Sequence, residues 1–339
     1  MKMKKIFLGT TIVLSLFTII QAQISPEQFL GFPIGSDQKL VSWQQVTSYF
    51  HQLEQHSNRV VVENLGETTQ AKDFILVIIS SPENLIHLDR YKKIQQILAD
   101  PRQINSAPDQ FLDEGKTVVL VTCSIHSKEA ASTQMSMELA YDLASSEDSQ
   151  TSEILRDVIL LLVPSVNPDG VDIVKDWYQK TLGTPAEGTA PPWLYHPYTG
   201  HDNNRDWFMF TQKETRLVVQ KIHNIWHPQI VVDVHQMSPY GARMFVPPYI
   251  DPIDPNVDPI LQAGIIKLGG ALFASLITAG KQGVVTNAIY DAYNPARAYS
   301  NYHGGIRILL EAAGTALATP LNIQPENLIS GRNYNVRTS

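Results

Sequence analysis

The sequence predicts an α/β fold in a single domain, with helices packed on a mixed or largely parallel sheet. Apolar runs of strand length alternate along the chain with segments whose apolar residues recur at helical spacing. Runs such as 117–122 and 158–163 are apolar throughout, which is typical of strands buried on both faces. The candidate functional residues extend from position 126 to position 311 without a repeat or low-complexity tract between them, which favours one domain.

The predicted elements have identifiable start and stop signals. Ser42 is a suitable cap for the first helix, and Pro228 and Gly280 end two later ones. Residues 179–203 contain five glycines and prolines before position 193, which indicates a long ordered loop of the kind that often carries function. In chain order, the predicted elements are helix 42–56, strand 60–65, strand 74–80, helix 84–99, strand 117–122, helix 132–144, strand 158–163, helix 213–226, strand 230–235, helix 259–279 and strand 305–310.

The first 22 residues have the pattern of a secretory signal peptide. Three lysines among the first five residues precede an almost unbroken apolar run over 6–20, and Ala22 is a small residue at which a signal peptidase could cut. The run is too short for a lasting membrane span, although an uncleaved anchor is the alternative. We therefore expect an exported protein, periplasmic or extracellular, whose domain occupies residues 23–339. The chain could also be a fragment of a longer protein.

Charge and cysteine content exclude several classes of function. The formal net charge is −7, and removal of the three leader lysines takes it to −10. The chain has no basic run to neutralise phosphates, so we expect no nucleic-acid partner. We expect no membrane span after removal of the leader, because no later apolar run is long enough to span a bilayer. The single cysteine, Cys123, cannot form an internal disulfide and is expected to be a buried thiol.

Three residues that follow or end strands have the chemistry of metal ligands. His126 and Glu129 come directly after the strand 117–122, and an imidazole and a carboxylate three residues apart can bind one cation from a single turn. His235 ends the apolar strand 230–235, at the position where α/β proteins face a ligand crevice. Two histidines and one glutamate are typical of a catalytic zinc site. The alternatives are a polar surface loop for the first pair and a satisfied core histidine for His235.

A further carboxylate, Glu311, follows the apolar run 306–310. A carboxylate at the end of a buried strand is costly unless it is bound or its pKa is shifted, and a metal-activated water would meet that need. Glu311 is therefore the candidate general base. The alternatives are a solvent-exposed glutamate and an ion pair with Arg307, which lies on the same face of the strand.

Two polar motifs accompany these residues. In the motif at 202–205, Asn204 and Arg205 suit the recognition of a carboxylate such as a peptide C-terminus, and Asp202 suits the orientation of a ligating histidine. Without the other features, a turn with a surface salt bridge would be the better interpretation of this motif. The motif at 167–170, Asn-Pro-Asp-Gly, predicts a turn.

Taken in order, these motifs resemble those of the zinc carboxypeptidases related to carboxypeptidase A, as a bacterial-type exported member. The similarity covers about 117 to 314 and rests on HSKE at 126–129, NPDG at 167–170, DNNR at 202–205, His235 and Glu311. The resemblance implies a single α/β domain with a mixed, twisted sheet between helices. It also implies one Zn²⁺ per chain, bound by His126, Glu129 and His235.

The resemblance assigns roles to the remaining polar residues. It implies that Asp202 supports His126 and that Glu311 is the base. It also implies that Asn204 and Arg205 hold the C-terminal carboxylate of the substrate. The function implied is that of a metallocarboxypeptidase acting on a peptide or protein with a free C-terminus.

The sequence departs from the family pattern at one position and leaves another open. The family has an arginine between the second and third motifs that stabilises the oxyanion, but residues 171–204 contain none, so His201 and Lys180 are candidate substitutes. The family also places a tyrosine over the substrate, in the stretch before the base. Arg297 lies in that stretch, and if its side chain points into the pocket it would favour a substrate with an acidic C-terminal residue. The tyrosine candidates are Tyr290, which we favour, Tyr293, Tyr299 and Tyr302.

Two other functions fit the same residues. One is a zinc amidohydrolase acting on acyl-amino acids or cell-wall peptides. The other is a catalytically weak binding domain on the same scaffold, which the missing arginine favours. The intact set of metal ligands and the presence of Glu311 argue against a silent domain.

Overall fold

A mixed sheet of eight strands lies at the centre of the fold and positions the candidate site. The structure is a computed structural model that describes residues 23–100, 102, 108–192, 199–289 and 294–324. The strands found in these ranges are β1 (Val60–Glu67), β2 (Asp73–Ile79), β3 (Thr117–Cys123), β4 (Val158–Val163), β5 (Ile230–Met237), β6 (Met244–Phe245), β7 (Tyr249–Ile250), β8 (Val284–Val285), β9 (Ala288–Ile289) and β10 (Ile306–Ala313).

The order of strands in the main sheet is β1-β2-β4-β3-β5-β10-β6-β8, and β7 pairs with β9 in a separate small sheet. The four central strands, β4, β3, β5 and β10, are parallel to one another. Strands β2 and β6 pair antiparallel with the outer members of this set, β4 and β10. Because parallel strands end at the same edge of a sheet, the carboxyl ends of four buried strands lie together there. The prediction of an α/β domain with a mixed sheet is confirmed.

Helices cover both faces of the sheet. One core cluster contains side chains of α2 and α6 against Val121, Leu160 and Leu162, and the other contains side chains of α4 and α10 against Leu120 and Leu161. Strand alternation sends successive side chains into the two clusters. The helices are α1 (Pro26–Leu30), α2 (Trp43–His56), α3 (Pro82–Leu85), α4 (Leu88–Ala99), α5 (Pro108–Glu114), α6 (Ala131–Ser145), α7 (Ser149–Asp157), α8 (Pro168–Thr181), α9 (Lys213–Val218), α10 (Asn224–Trp226), α11 (Pro259–Thr278) and α12 (Pro295–Tyr302).

Elements with a long, regular pattern agree with their predictions. The strand 158–163 is confirmed to the residue, and α2 begins after Ser42, whose Oγ accepts a hydrogen bond from the backbone N–H of Gln45.

The helix expected over 84–99 is two helices, α3 and α4, separated near His87. The helix expected over 213–226 consists of α9 and α10 joined by a π-helical turn, Val219–His223.

The segment expected to be one loop over 179–203 begins inside a helix. Its first three residues belong to α8, which ends at Thr181, and residues 193–198 lie outside the described residues. The apolar positions of α8 are separated by acidic and lysine side chains, so periodicity gives only a weak helix signal there.

One prediction about apolar runs is wrong. The helix α11 has the length and composition of a membrane span, although most of it is exposed and only Ile265 and Gly269 of its residues are buried. Lys267 and two adjacent glycines interrupt its apolar pattern, which is why the sequence does not suggest it. A single helix of this kind is weak evidence for a membrane span.

The central strands determine the stability of this fold. Leu161 of β4 is fully buried and is paired in register with Leu120 and Ile78. We expect Leu161→Ala to lower the free energy of unfolding by about 2–5 kcal/mol, because truncation leaves a cavity in a packed core. Urea denaturation measures the change, and Leu112→Ala, at a side chain that is 62% exposed, is the control with almost no effect. A loss below 1 kcal/mol at Leu161 would contradict the packing described.

Candidate metal centre and active site

Three strands bring the candidate ligands and the candidate base to one edge of the sheet. His126 follows the end of β3 by three residues, and His235 and Glu311 lie in the last three residues of β5 and β10. Strands β5 and β10 are parallel neighbours whose register places Glu311 directly beside His235. Because adjacent strands lie about 4.8 Å apart, this register brings the carboxylate next to the imidazole.

His126, Glu129 and His235 converge on one point. Nδ1 of His126 is 2.8 Å from Oε1 of Glu129, and Nδ1 of His235 is 3.1 Å from Oε2 of the same carboxylate. The centres of the two imidazole rings are 5.0 Å apart. One donor atom from each residue lies within 4.8 Å of the other two. Two nitrogens and a carboxylate oxygen at this spacing form a possible metal site with the donor set of catalytic zinc.

Burial and the shared carboxylates together set the protonation of this cluster. Burial lowers the pKa of His126, but its hydrogen bonds to Asp202 and Glu129 outweigh that effect and raise the pKa to about 9. Burial also lowers the pKa of His235, whereas Asp233 and Glu129 raise it well above its usual value. Burial raises the pKa of Glu129, but the two histidines lower it by more. A metal would therefore displace protons from the histidines on binding.

Asp202 lies on the far side of the His126 ring from Glu129. Its Oδ1 is 3.2 Å from Nε2 of His126 and accepts a hydrogen bond of 2.8 Å from the backbone N–H of Asn204. Burial raises the pKa of Asp202, but the hydrogen bond to His126 and the charge of that ring lower it to about 2. A carboxylate on the second ring nitrogen fixes the orientation of a histidine. The effect of Asp202 on metal binding stays a prediction.

Glu311 is half-buried beside this cluster. Its Oε2 is buried and has no hydrogen-bond partner among the residues that the structure describes. Burial is the largest cause that raises its pKa, and the charge of His235 acts in the opposite direction. The alternative ion pair with Arg307 is not what the structure contains, since Arg307 donates to Asp233 instead. A buried carboxylate oxygen without a partner is a candidate to accept a hydrogen bond from a reacting water.

The sequence profile of the family described as zinc carboxypeptidase matches residues 46–242. This chain belongs to that family. The matched range includes all three candidate metal ligands and ends before Glu311. A search of curated proteins finds no significant match.

Solved structures of carboxypeptidases have a similar fold. Carboxypeptidase A from Helicoverpa armigera is 16% identical with a TM-score of 0.54, and the match covers 81% of this chain and 64% of that one. A metallo-carboxypeptidase from Burkholderia cenocepacia is 18% identical with a TM-score of 0.54, over 81% of this chain and 60% of that one. At these identities the likeness shows the fold alone. The chain spans less than two thirds of the length of these two carboxypeptidases.

The loop that carries His126 is supported by the motif at 167–170. Oγ of Ser127 donates to the backbone carbonyl of Asn167 at 3.0 Å. The motif is predicted as a turn, but it begins α8, with the side chain of Asn167 as the cap of the helix. Gly170 lies within this helix, and a Cβ added there would lie 2.3 Å from Oγ of Ser127. The glycine therefore permits close approach of α8 to the loop that carries His126, rather than an unusual backbone angle.

Asn204 and Arg205 lie in a 3-10 turn, Asn203–Arg205, next to Asp202. The side chain of Arg205 is exposed, and its guanidinium makes no hydrogen bond or ion pair within the described ranges. Oδ1 of Asn204 is buried and has no partner there either. The neighbouring Asn203 donates to the backbone carbonyl of Ile125 at 2.5 Å, which ties this turn to the metal-binding loop. The exposed guanidinium of Arg205 is therefore available beside the metal site, whereas the unpartnered atom of Asn204 is a buried acceptor that cannot bind a carboxylate.

The candidate substitutes for the missing arginine have other surroundings. His201 is 2.8 Å from Oδ1 of Asp206, through Nε2, and Lys180 is exposed at the end of α8. Neither position identifies an oxyanion donor.

Tyr290, the favoured tyrosine, lies outside the described residues together with Tyr293 and the side chain of Arg297. Of the other two candidates, Tyr299 stacks on His303 and Tyr302 donates to Asp254.

Sequence reasoning missed two residues of the site. The backbone N–H of Gln236 donates to Oε2 of Glu129 at 3.0 Å, and no sequence signal could have shown this contact. Asp233 contacts Nε2 of His235 at 3.0 Å. Its signal was an acidic residue inside an apolar strand, two positions before a histidine and therefore on the same face.

Proposed function

We propose that this chain is a zinc-dependent metallocarboxypeptidase that hydrolyses the C-terminal peptide bond of peptides or proteins. The observation that carries the proposal is the convergence of His126, Glu129 and His235, with Glu311 beside them in strand register. Membership of the zinc carboxypeptidase family supports the same activity. We propose one Zn²⁺ per chain, held by the two Nδ1 atoms and the carboxylate of Glu129.

The chain's own residues would divide the reaction among them. Zinc in such a site polarises a carbonyl and lowers the pKa of a water to about 7. Glu311 would accept a proton from the attacking water through its buried oxygen and later donate that proton to the leaving amine. The raised pKa of Glu311 suits this exchange, because a more basic carboxylate is a better proton acceptor.

Substrate selection would rest on Arg205 and Asn204. The exposed guanidinium of Arg205 can donate two parallel hydrogen bonds to a carboxylate, and Asn204 can contribute a third contact. A free C-terminal carboxylate would thereby place the last peptide bond at the metal site. A zinc amidohydrolase that does not use a free carboxylate would have no such dependence.

We expect Arg205→Met to raise KM for peptides with a free C-terminus by about 10–100-fold. The expected loss is that of one charge-assisted contact, about 1.5–3 kcal/mol. Steady-state kinetics on a peptide and its C-terminal amide provides the measurement, and Arg156→Met, at an arginine on α7 that is 62% exposed, is the control. Equal hydrolysis of the free and amidated peptides by the unaltered protein would favour the amidohydrolase.

We also propose that residues 1–22 are a signal peptide and that the protein is exported. The basic start, the apolar run and the small residue at position 22 support this proposal. N-terminal sequencing of the secreted protein tests it, and an intact Met1 in that fraction would contradict cleavage.

A further inference from the structure

A second aspartate, Asp233, lies behind the His235 ring. Its Oδ2 is 3.0 Å from Nε2 of His235, while Nδ1 of the same ring faces Glu129 at 3.1 Å. Both side chains are almost fully buried, with 9% and 4% of their surfaces exposed. No open solvent therefore competes for this contact.

The two histidines are held in matching ways. Each points Nδ1 at the carboxylate of Glu129, and each points Nε2 at an aspartate, Asp202 for His126 and Asp233 for His235. An aspartate that accepts a hydrogen bond from Nε2–H keeps the proton on Nε2. The lone pair of Nδ1 is then directed at the metal position. The two aspartates reach the site from different parts of the chain, since Asp202 ends the long loop and Asp233 belongs to the same strand as its histidine.

Asp233 is itself fixed by the two neighbouring strands. Arg307 of β10 donates to the oxygen that faces His235, and Oγ1 of Thr122 in β3 donates to the other oxygen at 3.1 Å. Thr122 is the register partner of Asp233 across the β3–β5 pair. Arg307 lies on the same strand as Glu311, four residues before it.

A purely structural ion pair explains this arrangement poorly. A buried aspartate and arginine gain little net stability over apolar residues of similar size, because both charges lose their hydration. The pair is placed where one carboxylate oxygen contacts both the ring of a candidate ligand and the strand of the candidate base. This placement is what a positioning function requires.

We propose that Asp233 is the positioning residue for His235, holding Nε2 protonated and Nδ1 directed at the metal. Thr122 and Arg307 both hold Asp233, and Arg307 also links β10, which carries Glu311, to the ligand strand β5. This inference rests on the proposed zinc-dependent function. Removal of Asp233 should change the metal affinity and the orientation of the His235 ring, not only turnover.

The experiment compares variants of the full chain that remove the carboxylate, the pair, or the arginine alone. Asp233→Leu combined with Arg307→Met removes both charges of this pair, so neither member is left buried without the other, and this variant is expected to fold. We expect its zinc affinity, measured by competition with a chromophoric chelator, to fall by about 10–100-fold. Arg307→Met alone leaves Asp233 in contact with His235 and still held by Thr122, so zinc affinity should stay within about threefold of the unaltered protein. Asp233→Asn with Arg307→Met restores an oxygen acceptor and should recover part of the affinity.

A second readout does not depend on zinc. The proton on Nε2 of His235 should give a slowly exchanging downfield NMR signal in the metal-free protein, and the Asp233→Leu/Arg307→Met variant should lose it. A folded double variant that keeps both the signal and zinc affinity within threefold would overturn the proposal. So would an equal loss of affinity in Arg307→Met, which would show that only the ion pair matters. If the unaltered chain binds no zinc, the proposed function fails, and the NMR signal still decides the role of Asp233.

Discussion

Replacement of Glu311 by glutamine is expected to lower kcat by about 10²–10⁴-fold while zinc affinity stays within about threefold. The loss is that of general acid–base catalysis, because an amide of the same shape cannot accept the proton of water. Zinc should remain, since the proposed ligands are other side chains. Peptide hydrolysis and chelator competition on the same preparation give the two measurements.

Stability provides a check that the variant is folded. Burial raises the pKa of Glu311 above its usual value, so stability is lost as pH rises from the usual carboxyl pKa through the raised one, and the ionised form lowers stability near neutral pH. The metal-free glutamine variant should therefore unfold at the same temperature as the unaltered protein or at a higher one near neutral pH. Glu153→Gln, at an exposed position on α7, is the control that should change neither property. Unchanged turnover in Glu311→Gln would refute the assignment of the base.

Replacement of His235 by alanine is expected to weaken zinc binding by more than about 100-fold and to abolish hydrolysis. A ligand contributes directly to the metal, so its removal should cost more than the 10–100-fold typical of residues that only support a ligand. Chelator competition measures the affinity, and His51→Ala, at a side chain 48% exposed, is the control. Zinc retained at full affinity in the His235 variant would exclude this ligand.

The pH dependence of zinc binding is part of the same expectation. The pKa of His126 is raised to about 9, so a proton must leave this ring when metal binds at neutral pH. The apparent affinity should therefore rise with pH by about tenfold or more per unit between pH 7 and pH 9, and a flat profile would contradict the protonation described.

The sequence predicts well which strands and which polar residues form the site, because both depend on local patterns. Largely apolar runs of six residues identify the central strands, and the polar residues at or after their ends mark the edge of the sheet where a ligand would bind. His126, Glu129, His235 and Glu311 could be proposed from that rule and from the order of the motifs. Their convergence depends on the register of β5 against β10, which no single segment contains.

Other features depend on tertiary contacts and could not be predicted. The strands β6 to β9 have two residues each, too few for any periodicity. The pairing of Arg307 with Asp233 rather than with Glu311 could not be predicted, because strand alternation gives the face of a side chain but not its neighbour on the next strand. Asp233 was overlooked because its function depends on a histidine, a threonine and an arginine from three strands. Likewise, the need for a glycine at position 170 is explained only by its close approach to the side chain of Ser127.

The most direct test of the central claim is anomalous diffraction at the zinc absorption edge from crystals of the zinc-loaded protein. The account predicts one peak about 2.0–2.2 Å from Nδ1 of His126, Nδ1 of His235 and an oxygen of Glu129. Glu311 should lie close to this peak without binding the metal. A crystal in which zinc binds elsewhere, or in which the two imidazoles point to different regions, would contradict the account.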